Sequence, residues 1–132
     1  ALGLLKHKDV VDEGWKWQKT FSIKTDDVTK NANTLSGGNQ QKIVLAKWLA
    51  NDLDVLILNG PTVGVDIGSK HDIHSILQGL AKNVGMGVII ISDDLPEVIQ
   101  SCSRVLVLKD GKIAADLPTE GLTDQVILDY MM

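Results

Sequence analysis

Two uninterrupted runs of aliphatic residues, Val55–Leu58 and Val88–Ile91, constrain this chain more than any other feature. Neither alternates with polar residues, which is the pattern of parallel strands covered on both faces. Between them Ile73, Ile76, Leu77, Leu80 and Ala81 recur at helical spacing, with Ser69 and Asp72 at the expected start of the helix. The runs therefore predict a strand, a helix and a second parallel strand joined by a right-handed crossover. Downstream, Val105–Leu108 and Ile113–Leu117 flank Asp110-Gly111, a two-residue turn signal. The expected fold is α/β, with parallel strands flanked by helices and a C-terminal β-hairpin at the edge of the sheet.

Helical patterns occupy most of the rest. Residues 1–20 mix apolar and charged positions, including Trp15 and Trp17, and predict a helix; the polar stretch Phe21–Thr34 predicts a loop. From Gly37 to Asn51 the residues Ile43, Val44, Leu45, Ala46, Trp48 and Leu49 form a broad apolar face. Gln40, Gln41, Lys42 and Lys47 are left for solvent or partners, and Ser36 is positioned as the N-cap. Leu95, Val98, Ile99 and Cys102 share one face of a short helix with Pro96 in its first turn, and Val126, Ile127 and Tyr130 share one side of a terminal helix.

Composition narrows the function. The 132 residues suffice for one domain, and a formal charge of −4 is the wrong sign for a chain that grips nucleic-acid phosphates. One cysteine, Cys102, allows no internal disulfide and fits a reducing compartment, so the cytoplasm is expected. No apolar run approaches the ~20 residues of a membrane-spanning helix. The opening Ala1, Leu2, Leu4 and Leu5 enters with no first strand or cap, and a piece of a longer protein is expected.

Chemistry concentrates in Leu35-Ser36-Gly37-Gly38-Asn39-Gln40-Gln41-Lys42. A hydroxyl and two glycines at the mouth of a helix suit an anion, because the first helical amides lack internal acceptors and the macrodipole adds positive potential there. Taken alone, the run reads equally as a flexible turn with a cap. His71 and His74 lie three residues apart with no further ligand at metal spacing, and no metal site is expected.

The run resembles the signature sequence of ATP-binding cassette (ABC) proteins. Its Asn-Gln-Gln-Lys ending is similar to the second nucleotide-binding half of sugar-importer ATPases of the ribose, galactose and xylose type. Ile23-Lys24-Thr25, Pro61-Thr62, Gly64-Val65-Asp66-Ile67-Gly68-Ser69-Lys70, Ser92, Leu95-Pro96-Glu97 and Asp110-Gly111-Lys112-Ile113 follow that pattern in order, from about residue 20 to the end. The resemblance implies a partial nucleotide-binding domain, with residues 1–52 from the helical subdomain and 53–132 from the C-terminal part of the ATPase core. It implies that Ser36, Gly37, Gly38 and Asn39 meet the γ-phosphate of ATP held by the other nucleotide-binding half, and that Asp66, in the D-loop, lies at the dimer seam. ATP and Mg2+ in the full assembly, membrane permease subunits as partners and a place on the inner face of the plasma membrane follow from the same resemblance.

The departures are chemical. Where the family ends its strand in Asp then Glu, this chain has Asn59 and Gly60; Asn59 brings no negative charge to a cation, and Gly60 cannot act as a base. Loss of a general base costs about 10² to 10⁴ in rate. Asp93 stands where many members carry a histidine facing the γ-phosphate. No G-x-x-x-x-G-K-[ST] phosphate loop occurs, so the chain alone is expected neither to hold ATP tightly nor to hydrolyse it. Three other readings stand beside this one: a degenerate half that only scaffolds a partner, a receiver-like signalling domain, which would need an acceptor Asp where Asn59 follows Leu58, and an ABC protein of repair or translation, against which the Asn-Gln-Gln-Lys ending speaks. Exposed strand edges predict that the isolated chain self-associates.

Overall fold

The computed structural model describes residues 6–132, so the first five positions of the expected N-terminal helix lie outside the described residues. Two compact units emerge, one running to Asp54 and resuming over Thr62–Ile76, the other made of Val55–Pro61 and Leu77–Met132.

The first unit holds α1 (His7–Thr20), a 3₁₀ turn (Ala32–Thr34), α2 (Gly37–Leu49) and most of α3 (Ile67–Gly79). Phe21, Ile23 and Ala46 form its core, with Trp17, Leu35, Ile43, Leu49 and Ile76 packed around them. Trp17 stacks on Phe21 with ring centroids 5.6 Å apart, while Trp15 is partly exposed. Helix α2 corrects the expected division of its faces. Lys42, left for solvent or partners by the pattern, is only 3% exposed and donates from Nζ to Asp72 Oδ2 on α3 at 2.8 Å, whereas Val44 and Trp48, expected on the apolar face, are exposed. The helical period explains this: positions 42, 45, 46 and 49 share the inward stripe, and 44 and 48 lie opposite.

Helix α3 also begins earlier than expected. Its first turn is capped by Asp66, which accepts from Ser69 N at 3.0 Å and Ser69 Oγ at 2.8 Å, so Ser69 and Asp72 sit inside the helix. Past Gly79 the helix widens into a π-helical turn, Leu80–Val84.

In the second unit β1 (Val55–Asn59) and β2 (Gly87–Ile91) pair in parallel, from Val55 opposite Gly87 to Asn59 opposite Ile91. The expectation of strands covered on both faces is corrected. Leu56 and Leu58 are buried, but Val55, Ile57, Ile89 and Ile91 are half or more exposed, because successive side chains alternate and the described residues cover one face. The hairpin of β3 (Arg104–Lys109) and β4 (Lys112–Pro118) forms as expected, with Asp110 and Gly111 both at positive φ, 51° and 72°. It is a separate two-stranded sheet and not the edge of the parallel one. Val105 and Val107 on its inner face join Val98 of α4 (Leu95–Ser101) and Ile127 of α5 (Asp124–Met131) in a second core. Only Ile127 of the expected terminal stripe is buried; Val126 and Tyr130 are exposed.

The Lys42–Asp72 pair joins α2 to α3 at one point. The hydrogen bond from Lys42 holds the Asp72 carboxyl below its usual 3.8, against a smaller opposing cost of desolvation. A carboxyl whose pKa falls on folding stabilises above its unfolded pKa, and that contribution fades as pH falls through the lower folded value. Asp72→Asn is expected to cost about 1–2 kcal/mol at pH 7, since the buried ammonium keeps only a neutral amide oxygen and loses the opposite charge, while the half-exposed carboxylate it replaces is partly screened. The cost shrinks toward pH 3; urea melts of both proteins at pH 7 and pH 3 measure it.

Candidate functional site

Ser36 has the extended backbone of an N-cap (φ −60°, ψ 155°) and is exposed at the mouth of α2. Ser36 is thus the N-cap residue, as expected, but its hydroxyl caps no helical amide. Instead Ser36 Oγ receives a hydrogen bond from Asn39 Nδ2 at 2.8 Å. The other end of the Asn39 amide, Oδ1, accepts from the Lys24 backbone N–H at 2.8 Å, so this buried side chain ties the Ile23–Thr25 segment to Ser36. Gln40 Nε2 donates to Leu35 O at 2.7 Å and fixes the approach to the helix from the outside.

The two glycines differ. Gly37 is exposed, and a Cβ there would find only Gly64 O, at 3.8 Å. Gly38 is buried, and a Cβ there would lie 2.3 Å from both Cβ and Oγ of Ser69, so the start of α2 abuts the start of α3 with no room for a methyl group. The same Ser69 is held by Asp66, whose carboxyl is kept below the usual range first by the Ser69 amide and then by its hydroxyl. Ser36, Gly37, Gly38, Asn39 and Asp66 thus belong to one unit, linked through Ser69.

Asn59, Gly60 and Asp93 fall in the other unit, at the C-terminal ends of the two parallel strands, where ligands of open α/β sheets bind. Asn59 lies opposite Ile91, and Gly60 donates its amide to Ile91 O at 2.8 Å. Gly60 sits at φ 56°, in the left-handed region that a side chain disfavours. Neither Asn59 nor Gly60 supplies a carboxylate, so the strand end lacks the charged donors that Mg2+ prefers. Asp93 is exposed, in a loop braced from both sides: Asp94 N donates to Ser92 Oγ (3.1 Å), Ser92 Oγ to Glu97 Oε2 (2.6 Å) and Glu97 N to Asp94 Oδ1 (3.1 Å). Among the described residues no group of three His, Cys, Asp or Glu is placed to hold a metal.

Two features were missed in the sequence. The Lys42–Asp72 pair had no signal, because the residues are thirty positions apart. The brace around Asp93 had one: Asp94 followed three residues later by Glu97 is the spacing of a capping box.

The Gly38–Ser69 contact predicts a specific failure and its repair. Gly38→Ala should destabilise by about 1–3 kcal/mol or more by overpacking. Ser69→Gly in the same chain should restore most of that loss, because it removes the atoms that the new methyl group meets while keeping the amide donor to Asp66. Thermal melts of the two singles and the double provide the check, and purely additive losses would contradict the contact.

The ABC transporter family matches residues 6–63. The L-arabinose transport ATP-binding protein AraG of Geobacillus stearothermophilus is 39% identical over 98% of this chain and 26% of its own length. The ribose import ATP-binding protein RbsA 2 of Streptomyces avermitilis is 42% identical over 85% of this chain and 22% of its own. This chain therefore spans about a quarter of the curated relatives it matches. Among solved structures, a metal-chelate type ABC transporter in an inward-facing conformation superposes over 99% of this chain and 51% of its own, with a TM-score of 0.82 at 20% identity. The ABC transporter cassette MJ0796, solved as a dimer, does so over 92% and 52%, with a TM-score of 0.74 at 23% identity. The fold is thus that of part of an ABC cassette, and on the family match together with the sugar-import relatives the chain belongs to the ABC transporter ATPase family.

Proposed function

We propose that this chain is part of the ATP-binding subunit of a bacterial sugar importer and supplies the signature motif that completes an ATP site in trans. One observation carries the reading: Ser36 stands exposed at the start of α2 while everything behind it, Gly38 against Ser69 and Asn39 against Lys24, is packed. That arrangement offers a hydroxyl and the free first amides of a helix to an anion held by another half. In this reading Ser36 and Gly37 reach the γ-phosphate, Gly38 and Asn39 back them from the interior, and Asp66 lies at the seam between the halves. Asn59, Gly60 and Asp93 are the degenerate counterparts of hydrolytic positions, so hydrolysis belongs to the assembled protein and the chain alone is inactive. ATP and Mg2+ are cofactors of that assembly; the chain's own residues hold the phosphate end and contribute no carboxylate to a cation at Asn59 or Gly60.

The division into a helical subdomain (1–52) and a core portion (53–132), permease subunits as partners and a cytoplasmic place at the inner membrane face belong to the same reading. The absent acidic pair at Asn59 and Gly60 favours a second one, a scaffold half that binds its partner without nucleotide. A labelled, non-hydrolysable ATP analogue with Mg2+ separates the two. It should bind when the half carrying the phosphate loop is added and not to this chain alone, and Ser36→Arg should abolish that gain. Association with the other half that ignores nucleotide would favour the scaffold.

Alone, the chain presents Val55, Ile57, Ile89 and Ile91 on an exposed sheet face and unpaired strand edges. Light scattering should give a mass above the 14.3 kDa monomer. A clean monomer at micromolar concentration would contradict this.

A further inference from the structure

We infer that Asn39 is a positioning residue for the Ser36 hydroxyl, setting the direction in which its proton points; the inference rests on the trans-site reading of Ser36. The argument begins with what each atom can do. The Lys24 backbone N–H only donates, so the Asn39 atom 2.8 Å from it must be the carbonyl oxygen. The amide nitrogen is thereby turned to Ser36, and since an NH2 group only donates, Ser36 Oγ must accept at 2.8 Å. A hydroxyl has one proton and two acceptor lone pairs; with one lone pair engaged from behind by Asn39, the proton is left for an acceptor on the exposed side. Asn39 is 9% exposed, and turning its amide over would set its NH2 against the Lys24 N–H, donor against donor, at a part-buried site. The Ile23–Thr25 segment thus sets the orientation of Asn39, and Asn39 that of Ser36. The hydroxyl is held as a donor, the form an anionic oxygen requires, before any ligand arrives.

Asn39→Asp reverses the last link without removing the first. A carboxylate still accepts from Lys24 N–H and is favoured in the first turn of a helix, but it cannot donate, so Ser36 would turn its proton inward to it. The test uses the assembled ATPase, this chain joined to the half that carries the phosphate loop, with Ser36→Ala, Asn39→Asp and the double variant. Hydrolysis and affinity for the ATP analogue are read together, and thermal melts confirm folding.

Asn39→Asp is expected to melt near the parent and to lose roughly tenfold to a hundredfold in kcat/KM, the scale of one hydrogen bond to a charged group. Added to Ser36→Ala it should cost several-fold less than in the parent, because all of its effect passes through that hydroxyl except the repulsion between the new carboxylate and the phosphate. Asn39→Ala frees the hydroxyl without capturing its proton and should lose less than Asn39→Asp; this variant carries the test if the aspartate unfolds the chain. Full additivity of Asn39→Asp on Ser36→Ala would overturn the inference, and so would an impaired Ser36→Ala beside an unaffected Asn39→Asp. If Ser36→Ala is itself silent, the trans-site reading fails and takes the inference with it.

Discussion

The close approach of α2 to α3 governs the signature end of this chain. Gly38 meets Ser69 with no space for a methyl group, and one turn further along Lys42 buries its ammonium against Asp72. The two contacts work together. A buried amine costs several kcal/mol unless paired, so Lys42 tolerates only the register in which Asp72 reaches it, and the missing Cβ at position 38 lets the helices come that near. Asp66 then caps α3 through the same Ser69 that Gly38 touches. Shifting one of these residues shifts the others, and with them the serine at the mouth of α2.

The polar groups divide between the two units by what surrounds them. At the start of α2 both side-chain polar atoms of Asn39 have a partner inside the chain, and what is exposed is a hydroxyl beside helical amides that have no acceptor within the helix. The ends of β1 and β2 present Asn59, Gly60 and Asp93, with the flanking Ser92, Asp94 and Glu97 bonded to one another. The first arrangement is suited to meeting an anion from outside. The second holds backbone and one exposed carboxylate in place without the paired acids that a hydrolytic cation site needs.

Much of this was legible along the chain. Helix α2, the β1–α3–β2 order, the short α4 with Pro96 and the Asp110-Gly111 hairpin follow from periodicity and turn chemistry, which act over a few residues. The signature run was legible as a motif, because a hydroxyl and glycines before a helix leave a local trace. The Lys42 error shows where such reasoning stops: a lysine at a helical position reads as solvated unless the acid that pairs with it is known, and Asp72 lies on another helix. The exposed faces of β1 and β2 escaped for a related reason, since an aliphatic run states that burial is sought and not which neighbour provides it.

Sequence by itself determined most of the elements and their order, the Ser36-Gly37-Gly38 run before a helix, and the absence of acids at Asn59 and Gly60, because each is a property of residue type at a position. Tertiary structure decided that Gly38 is a contact and Gly37 an opening, that Lys42 belongs to the interior, and that Asn39 faces Lys24 with one end and Ser36 with the other. Those are properties of distance between residues remote in the chain. Hydrogen bonds and steric exclusion act over a few ångströms in space, and only the folded chain sets which atoms come that close.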